Sequence, residues 1–277
     1  FNMPKANGFE TALVTGASAG MGKAFAIALA KEGYTVFAAA RRMEAMEELK
    51  EFGIIPIKMD ITKEEDVQTV VSTVLKDHKS IDILINNAGF GLYGAVEDVK
   101  IDEARYQFEV NIFGLARLTQ LLIPYMRDQK RGRIINISSI GGKIYTPLGA
   151  WYHATKHALE GWSDCLRVEL APFGVDVVII EPGLIKTEFA DVLNKNLQAT
   201  SARGAYNSLA NKLIKATEKE APKASDPQVI VDLVVKAVRA KTPNTRYAGG
   251  RMATMLLTIR AWFSDRFFDS QLSKLIS

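Results

Sequence analysis

One cysteine, Cys165, stands in 277 residues, which excludes an internal disulfide and suits a reducing compartment, so a cytoplasmic location is expected. With no motif near it, Cys165 reads as a small buried hydrophobe. Histidine is nearly as scarce, at three. His153 and His157 stand at i and i+4, a spacing seen in zinc sites, but the intervening Ala-Thr-Lys carries no glutamate and His78 belongs to a distant helix; surface or interface histidines are expected, and no metal. No charge of one sign dominates, because 35 basic and 31 acidic residues are scattered along the chain. That leaves no basic stripe for nucleic acid and no acidic tail. Nor is there an internal repeat, or a run of about 20 mostly apolar residues to span a membrane. Phe1-Asn2 ahead of Met3 reads as a remnant before a native start, and no basic segment followed by an apolar run marks export.

What is present is alternation. Short apolar, β-rich runs at 11–17, 34–40, 54–61, 81–88, 133–139 and 175–182 are separated by helical patterns at 21–31, 43–52, 63–76, 102–127 and 149–172. Runs such as Val175-Asp-Val-Val-Ile-Ile180 alternate too little for a half-exposed strand, as expected where helices cover both faces of a sheet. The fold class is therefore α/β, a Rossmann-like doubly wound parallel sheet of about seven strands, the last near Arg246-Tyr247-Ala248. A single catalytic domain is expected over 9–250, after a tail at 1–8. Within it, 187–225 is polar and strandless and reads as a mobile helical flap over substrate. Asp226-Pro227 then starts a helix, with Asp226 as N-cap. The extension 251–277 is amphipathic; packing on this domain or on a partner accounts for it better than adhesion to a membrane surface.

Two regions carry chemistry. Thr15-Gly16-Ala17-Ser18-Ala19-Gly20-Met21-Gly22 lies where the first strand turns into the first helix. Missing side chains there let backbone N–H groups and the helix N-terminus approach a pyrophosphate. The second strand ends in Arg41-Arg42 with no carboxylate to take a ribose 2′-hydroxyl. Two guanidiniums suit a 2′-phosphate, so NADP is expected in preference to NAD; the alternative is that both pair with Glu44 or Glu47 on the surface. Tyr152 and Lys156 share one helix face at i and i+4, thirteen residues after Ser139. A cation beside a phenol favours phenolate and lowers its pKa, so Tyr152 is expected to exchange a proton with a carbonyl or alcohol oxygen.

With these motifs the chain resembles the short-chain dehydrogenase/reductase family over residues 9 to 190, and more loosely to 250. The ordered matches are Thr-Gly-x-x-x-Gly-x-Gly at 15–22, Asp60, Asn86-Asn87-Ala88-Gly89, Asn111, Ser139, Tyr152 with Lys156, and Pro182-Gly183 with Thr187. The resemblance implies a cofactor site at Gly16, Ser18, Gly20, Met21 and Gly22, with Asp60 and its neighbour Ile61 at the adenine. Asn87, Ala88 and Gly89 would face the ribose and pyrophosphate, and Pro182, Gly183, Ile185 and Thr187 the nicotinamide. Asp60 alone serves equally as a helix N-cap. In the same way Ser139 would hold the substrate oxygen, Tyr152 pass the proton, and Lys156 lower the phenol's pKa while binding the nicotinamide ribose. Asn111 would anchor a water leading from Lys156 to solvent, and Ser138 would pack or hydrogen-bond behind Ser139.

Phe90, Leu92, Tyr93, Ile144, Tyr145, Leu148, Leu184, Phe189 and Leu193 are expected at the carboxyl ends of the strands, where such sheets bind ligands. Being mainly apolar, they point to a lipophilic ketone, aldehyde or alcohol; the Arg246-Tyr247 region before the tail resembles the hydroxysteroid and retinol dehydrogenase branch. A 3-oxoacyl thioester reductase and a non-catalytic NADP-sensing protein are the alternatives, and retention of both Tyr152 and Lys156 argues against the second. Apolar groups on more than one face of 151–170 point to a homodimer or homotetramer.

Overall fold

The computed structural model describes residues 8–275. Most of the expected 1–8 tail, and residues 276 and 277, lie outside them. The strands β1 (Thr11–Thr15), β2 (Thr35–Ala40), β3 (Ile55–Lys58), β4 (Ile83–Asn86), β5 (Gly132–Ile137), β6 (Val175–Pro182) and β7 (Arg246–Gly249) form one parallel sheet in the order β3-β2-β1-β4-β5-β6-β7. Winding runs outward from β1 to β3, then restarts at β4 on the other side of β1. The crevice beyond the carboxyl ends of β1 and β4 is therefore the place where such a sheet accepts a ligand.

Alternate residues of each strand feed two cores. Ala12 and Val14 of β1 and Ile83 and Ile85 of β4 face α1 (Gly20–Lys31) and α8 (Gln228–Arg239), which contribute Phe25, Leu29, Ile230 and Val234. Leu13 and Leu84 face the other way, onto Val67, Val70 and Val74 of α2 (Glu64–Asp77) and Leu118, Leu122 and Met126 of α4 (Leu115–Asp128). Both sheet faces are thus covered, which is why the strands carry so few polar positions. The N-cap of α8 is Pro227 in place of the expected Asp226, whose carboxylate accepts from Gln228 N, the first residue of the helix, at 2.8 Å.

Two expected helices differ in kind. The 43–52 segment is a 3₁₀ helix, Glu44–Phe52. The 102–127 segment is α3 (Ile101–Phe108) joined to α4 by a π turn, Glu109–Gly114. The flap holds α6 (Phe189–Thr200) and α7 (Asn207–Glu220), and the long helix after β5 is α5 (Ala150–Leu170).

The extension forms α9 (Ala253–Trp262) and α10 (Asp265–Leu275), folded back on the domain. Phe268, 1% exposed, packs edge-on to Tyr145 at 5.2 Å beside Ile140 and Ile144, and the Tyr145 hydroxyl donates to Asp269 at 2.9 Å. Ile144 and Tyr145, expected at the substrate site, are used here instead. Trp262 remains 82% exposed, with Phe263 and Phe267 stacked at 4.4 Å. Among the described residues no helix is long and apolar enough to cross a membrane. Removing a buried Phe side chain costs about 3 kcal/mol or more, so Phe268→Ala is expected to speed amide hydrogen exchange in α10 and in 140–145 by on the order of 100-fold. Unchanged protection there would show that Phe268 does not dock the extension.

Candidate active site

The glycine-rich turn is built by exclusion of side chains. Gly16 has φ +66°, and a Cβ on it would stand 2.9 Å from both Ala88 Cα and Asn87 Nδ2. A Cβ on Gly22 would lie 2.4 Å from both Gly16 O and Asn87 Nδ2. Gly20, by contrast, has φ +54° and open space above it. No side chain caps α1, whose N-cap residue is Ala19, so the first amides of this helix, at Gly20, Met21 and Gly22, point outward without intrahelical partners. Bare N–H groups at a helix N-terminus, reached over glycines, fit a pyrophosphate.

The turn is tied to β4. Thr15 Oγ1 accepts from Asn87 N and Ala88 N, both at 3.0 Å, and Asn87 Nδ2 donates to Thr15 O at 3.0 Å and Gly16 O at 3.4 Å. The Asn87 amide therefore supports the turn, and the backbone of Ala88 and Gly89 is what it leaves beside the crevice. Arg42 Nη2 donates to Ser18 Oγ at 3.3 Å, and Arg41 Nη1 to Tyr106 Oη at 3.2 Å. Both arginines are exposed, and among the described residues neither pairs with Glu44 or Glu47; Glu47 pairs with Lys50. The guanidiniums thus remain at the rim of the turn. Asp60 is not the N-cap of α2, which is Lys63. Its carboxylate accepts from Thr62 N at 3.1 Å and Thr62 Oγ1 at 2.8 Å. Burial pushes the Asp60 carboxyl up, but the Thr62 hydrogen bonds and then Arg41 outweigh it and hold it low. Ile61 is buried beside it and its carbonyl lies against Gly114.

On α5, Tyr152, Lys156, Leu159, Ser163, Leu166 and Leu170 form one inward stripe at alternating spacings of four and three. The catalytic candidates are the first two members of a core-facing row, so folding buries them. Tyr152 is 8% and Lys156 9% exposed. Ser139 starts the short 3₁₀ turn Ile140–Gly142, its hydroxyl accepting from Gly141 N at 3.0 Å, and it is near enough to the phenol of Tyr152 to lower its pKa. Lys156 follows Tyr152 one turn along the same buried face of α5.

The electrostatics correct one expectation. Burial raises the Tyr152 phenol above its ordinary value, and the nearby Ser139 hydroxyl offsets this only in part. The Lys156 ammonium does not reverse it; Nζ donates to Ile137 O at 2.9 Å. Burial also lowers Lys156 to about 8, against the opposing charge of Glu160. The phenol of this structure holds its proton.

Asn111 sits in the π turn, where helical hydrogen bonding is irregular. Its Oδ1 accepts from Phe90 N at 3.0 Å, and Nδ2 donates to Phe90 O at 2.9 Å and Thr155 Oγ1 at 3.0 Å. The side chain thus ties the π turn to Phe90 and to α5. Ser138 is buried, with no hydrogen-bond partner for its hydroxyl among the described residues. Beyond β6, Pro182 is buried, Gly183 N donates to Gly249 O at 2.8 Å, Ile185 packs on Gly250, and Thr187 Oγ1 accepts from Phe189 N at 3.3 Å. They lie at the carboxyl end of β6, three strands along the sheet from β1 and its glycine-rich turn.

Phe189 lies 5.3 Å from the Tyr152 ring and Tyr93 lies 5.7 Å from it. Tyr93, Leu148, Leu193 and Leu197 pack with Tyr152 in one apolar cluster.

His153 was expected at the surface. It is buried, Nδ1 at 2.9 Å from Gly141 O and Nε2 at 3.1 Å from Thr146 N, bracing the Ser139 turn. His157 is exposed, and among the described residues no group of three His, Cys, Asp or Glu is arranged to hold a metal. Cys165, expected buried, is exposed because position 165 falls off the inward stripe. Thr155, which holds Asn111, carried no sequence signal beyond its place beside Lys156.

The sequence pattern described as short chain dehydrogenase matches residues 10–198. The chain is 33% identical over 259 residues to the 3-ketodihydrosphingosine reductase of Bacteroides thetaiotaomicron, covering 93% of this chain and 94% of the relative. Among solved structures, a short-chain dehydrogenase from Streptomyces avermitilis superposes with TM-score 0.79 at 33% identity, covering 96% of this chain and 94% of the other. A serine dehydrogenase complexed with NADP+ does so with TM-score 0.76 at 26% identity, covering 87% and 95%; other matched members were crystallised with NADP or NADPH. The chain belongs to the short-chain dehydrogenase family and is an oxidoreductase.

The two contacts at 2.4 Å make Gly22 the least replaceable residue of the turn. Gly22→Ala is expected to weaken nucleotide binding at least about tenfold, read by titration calorimetry. Native affinity in a folded Gly22→Ala protein would show that this packing does not shape the site.

Proposed function

We propose that the protein is an NADPH-dependent reductase that converts a lipophilic ketone or aldehyde to an alcohol. The observation that carries this reading is the buried phenol of Tyr152, influenced by Ser139 and packed in the apolar cluster of Tyr93, Leu148, Leu193 and Leu197, with the Phe189 ring 5.3 Å from its own. Burial that raises the phenol keeps it protonated at neutral pH, the state required of a proton donor, and this favours reduction over oxidation. NADPH, when bound, would supply the hydride. Ser139 holds the carbonyl oxygen, Tyr152 gives its proton to that oxygen, and Lys156 restores the proton from the buried side. Asn111 is the residue set to hold a water on that path. The apolar side chains packed about the phenol suit an aliphatic substrate better than a sugar phosphate. The relative named for a long-chain keto-lipid supports the same class. The single cysteine fits a cytoplasmic setting, and the exposed Val168 on α5, 69% open, fits pairing with a second copy.

Arg41 and Arg42 support NADP over NAD. Charge-assisted hydrogen bonds contribute about 1.5–3 kcal/mol, so replacing both with Ala is expected to lower the preference for NADPH over NADH by about 10- to 100-fold. An unchanged ratio of kcat/KM values would remove the arginines from phosphate recognition.

The direct test is NADPH oxidation with long-chain 3-keto lipids, steroids, retinoids and short aliphatic ketones. Turnover is expected with the lipophilic ketones and lost by at least about 100-fold in Tyr152→Phe, with NADPH affinity kept. Retained turnover in that variant would overturn the proton-donor role, and a preference for short polar carbonyls would overturn the substrate class.

A further inference from the structure

A charged cluster is buried directly behind the proton-transfer site. Glu160 lies one turn beyond Lys156 on α5 and is 2% exposed. Its Oε2 accepts from Arg246 Nη2 at 3.0 Å and Nε at 3.1 Å, with Lys143 Nζ 3.3 Å away, while Oε1 has no hydrogen-bond partner among the described residues. Gly142 makes room for it. A Cβ there would lie 2.8 Å from Glu160 Cγ, 2.8 Å from Ser138 Oγ and 3.0 Å from Lys156 O. The carboxylate arm, the serine turn and the lysine backbone therefore converge on one point.

The other charged neighbours are accounted for. On β6, Glu181 lies 3.5 Å from Arg246 Nε and is pushed up to about 7, by burial first and then by Glu160. On α5, Asp164 is 2.7 Å from Arg246; burial raises it, but hydrogen bonds from Arg246 and Arg167 hold it low. On the elements packed against the far side of α5, Asp102, Glu103 and Glu109 are exposed. Glu160 is thus the anion placed to act on Lys156 within the interior, where side chains at i and i+4 have Cβ atoms about 5–6 Å apart.

We propose that Glu160 is a positioning residue which, anchored by Arg246, supplies the negative charge that holds the buried Lys156 side chain as an ammonium. This rests on the role given to Lys156 above. An ammonium removed from water loses its hydration, and a fixed carboxylate one turn away replaces part of it. Lys143 and Arg246 share the same carboxylate and limit that effect, which leaves Lys156 between a fully buried and a fully paired lysine.

The test follows the lysine directly. In cofactor-free protein labelled with ¹³C at lysine Cε, the Lys156 resonance is identified by its loss in Lys156→Arg and titrated with pH. The native midpoint is expected at about 8. Glu160→Gln is expected to lower it by about one unit or more, and Glu160→Asp to restore most of that shift. A native midpoint in Glu160→Gln overturns the proposal. If Glu160→Gln does not fold, Glu160→Met removes the charge at similar volume while Asp164 and Glu181 still pair Arg246; a lowered midpoint supports the proposal and an unchanged one overturns it. The pH profile of kcat/KM separates the two readings. A high-pH limb that moves with the resonance supports both, whereas a resonance that shifts beneath an unmoved limb keeps the role of Glu160 and removes Lys156 from proton transfer.

Discussion

The hydrogen bonds between Thr15 and Asn87 set the geometry on which both halves of the site depend. They join the ends of β1 and β4, the two strands between which the winding reverses, and fix the glycine-rich turn against the first residues after β4. The latch gives polar groups at the ends of an apolar sheet their partners and shapes the cofactor turn together. Gly16 and Gly22 are required by how closely this latch draws the backbone in. The same strand end leads to Phe90, whose backbone is clasped by Asn111, so the nucleotide side and the proton-transfer side share one anchored segment.

Burial does chemical work on α5. The stripe that seats the helix on the sheet also carries Tyr152 and Lys156, so the packing that stabilises the fold takes a phenol and an amine out of water. The two respond in opposite directions, each toward its neutral form: the phenol rises and the amine falls. Their pKa values thereby move apart, so at neutral pH the phenol keeps its proton while the amine, at about 8, lies within reach of deprotonation. A lysine acting as a simple fixed cation would have required exposure, or a full ion pair.

Much of this was legible in the sequence, for a physical reason. Glycine at 16, 20 and 22, the thirteen-residue step from Ser139 to Tyr152 and the i, i+4 pair are local facts, set by chain geometry. What was not legible depends on distant partners. His153 reads as a surface residue until Gly141 and Thr146 come to it. Ile144 and Tyr145 read as substrate lining until Phe268, more than a hundred residues later, covers them. Cys165 was misplaced because composition says nothing of helix phase. The expected effect of Lys156 on Tyr152 was read from adjacency alone, without the competing pull of Ile137 O and the cost of burial.

The π turn between α3 and α4 bears on how this family member tolerates change. An α-helix advances about 100° per residue, so a wider turn alters the rotational setting of everything after it. The apolar row Leu115, Leu118, Leu122 and Met126 meets the sheet only because Glu109–Gly114 supplies that offset. Loss of one residue there would leave no visible gap in the helix, yet would swing four large side chains off the sheet and release Phe90 from Asn111. Length in this stretch is therefore held more tightly than its exposed, changeable surface suggests: substitutions at Glu109 or Phe113 are cheap, whereas indels are not.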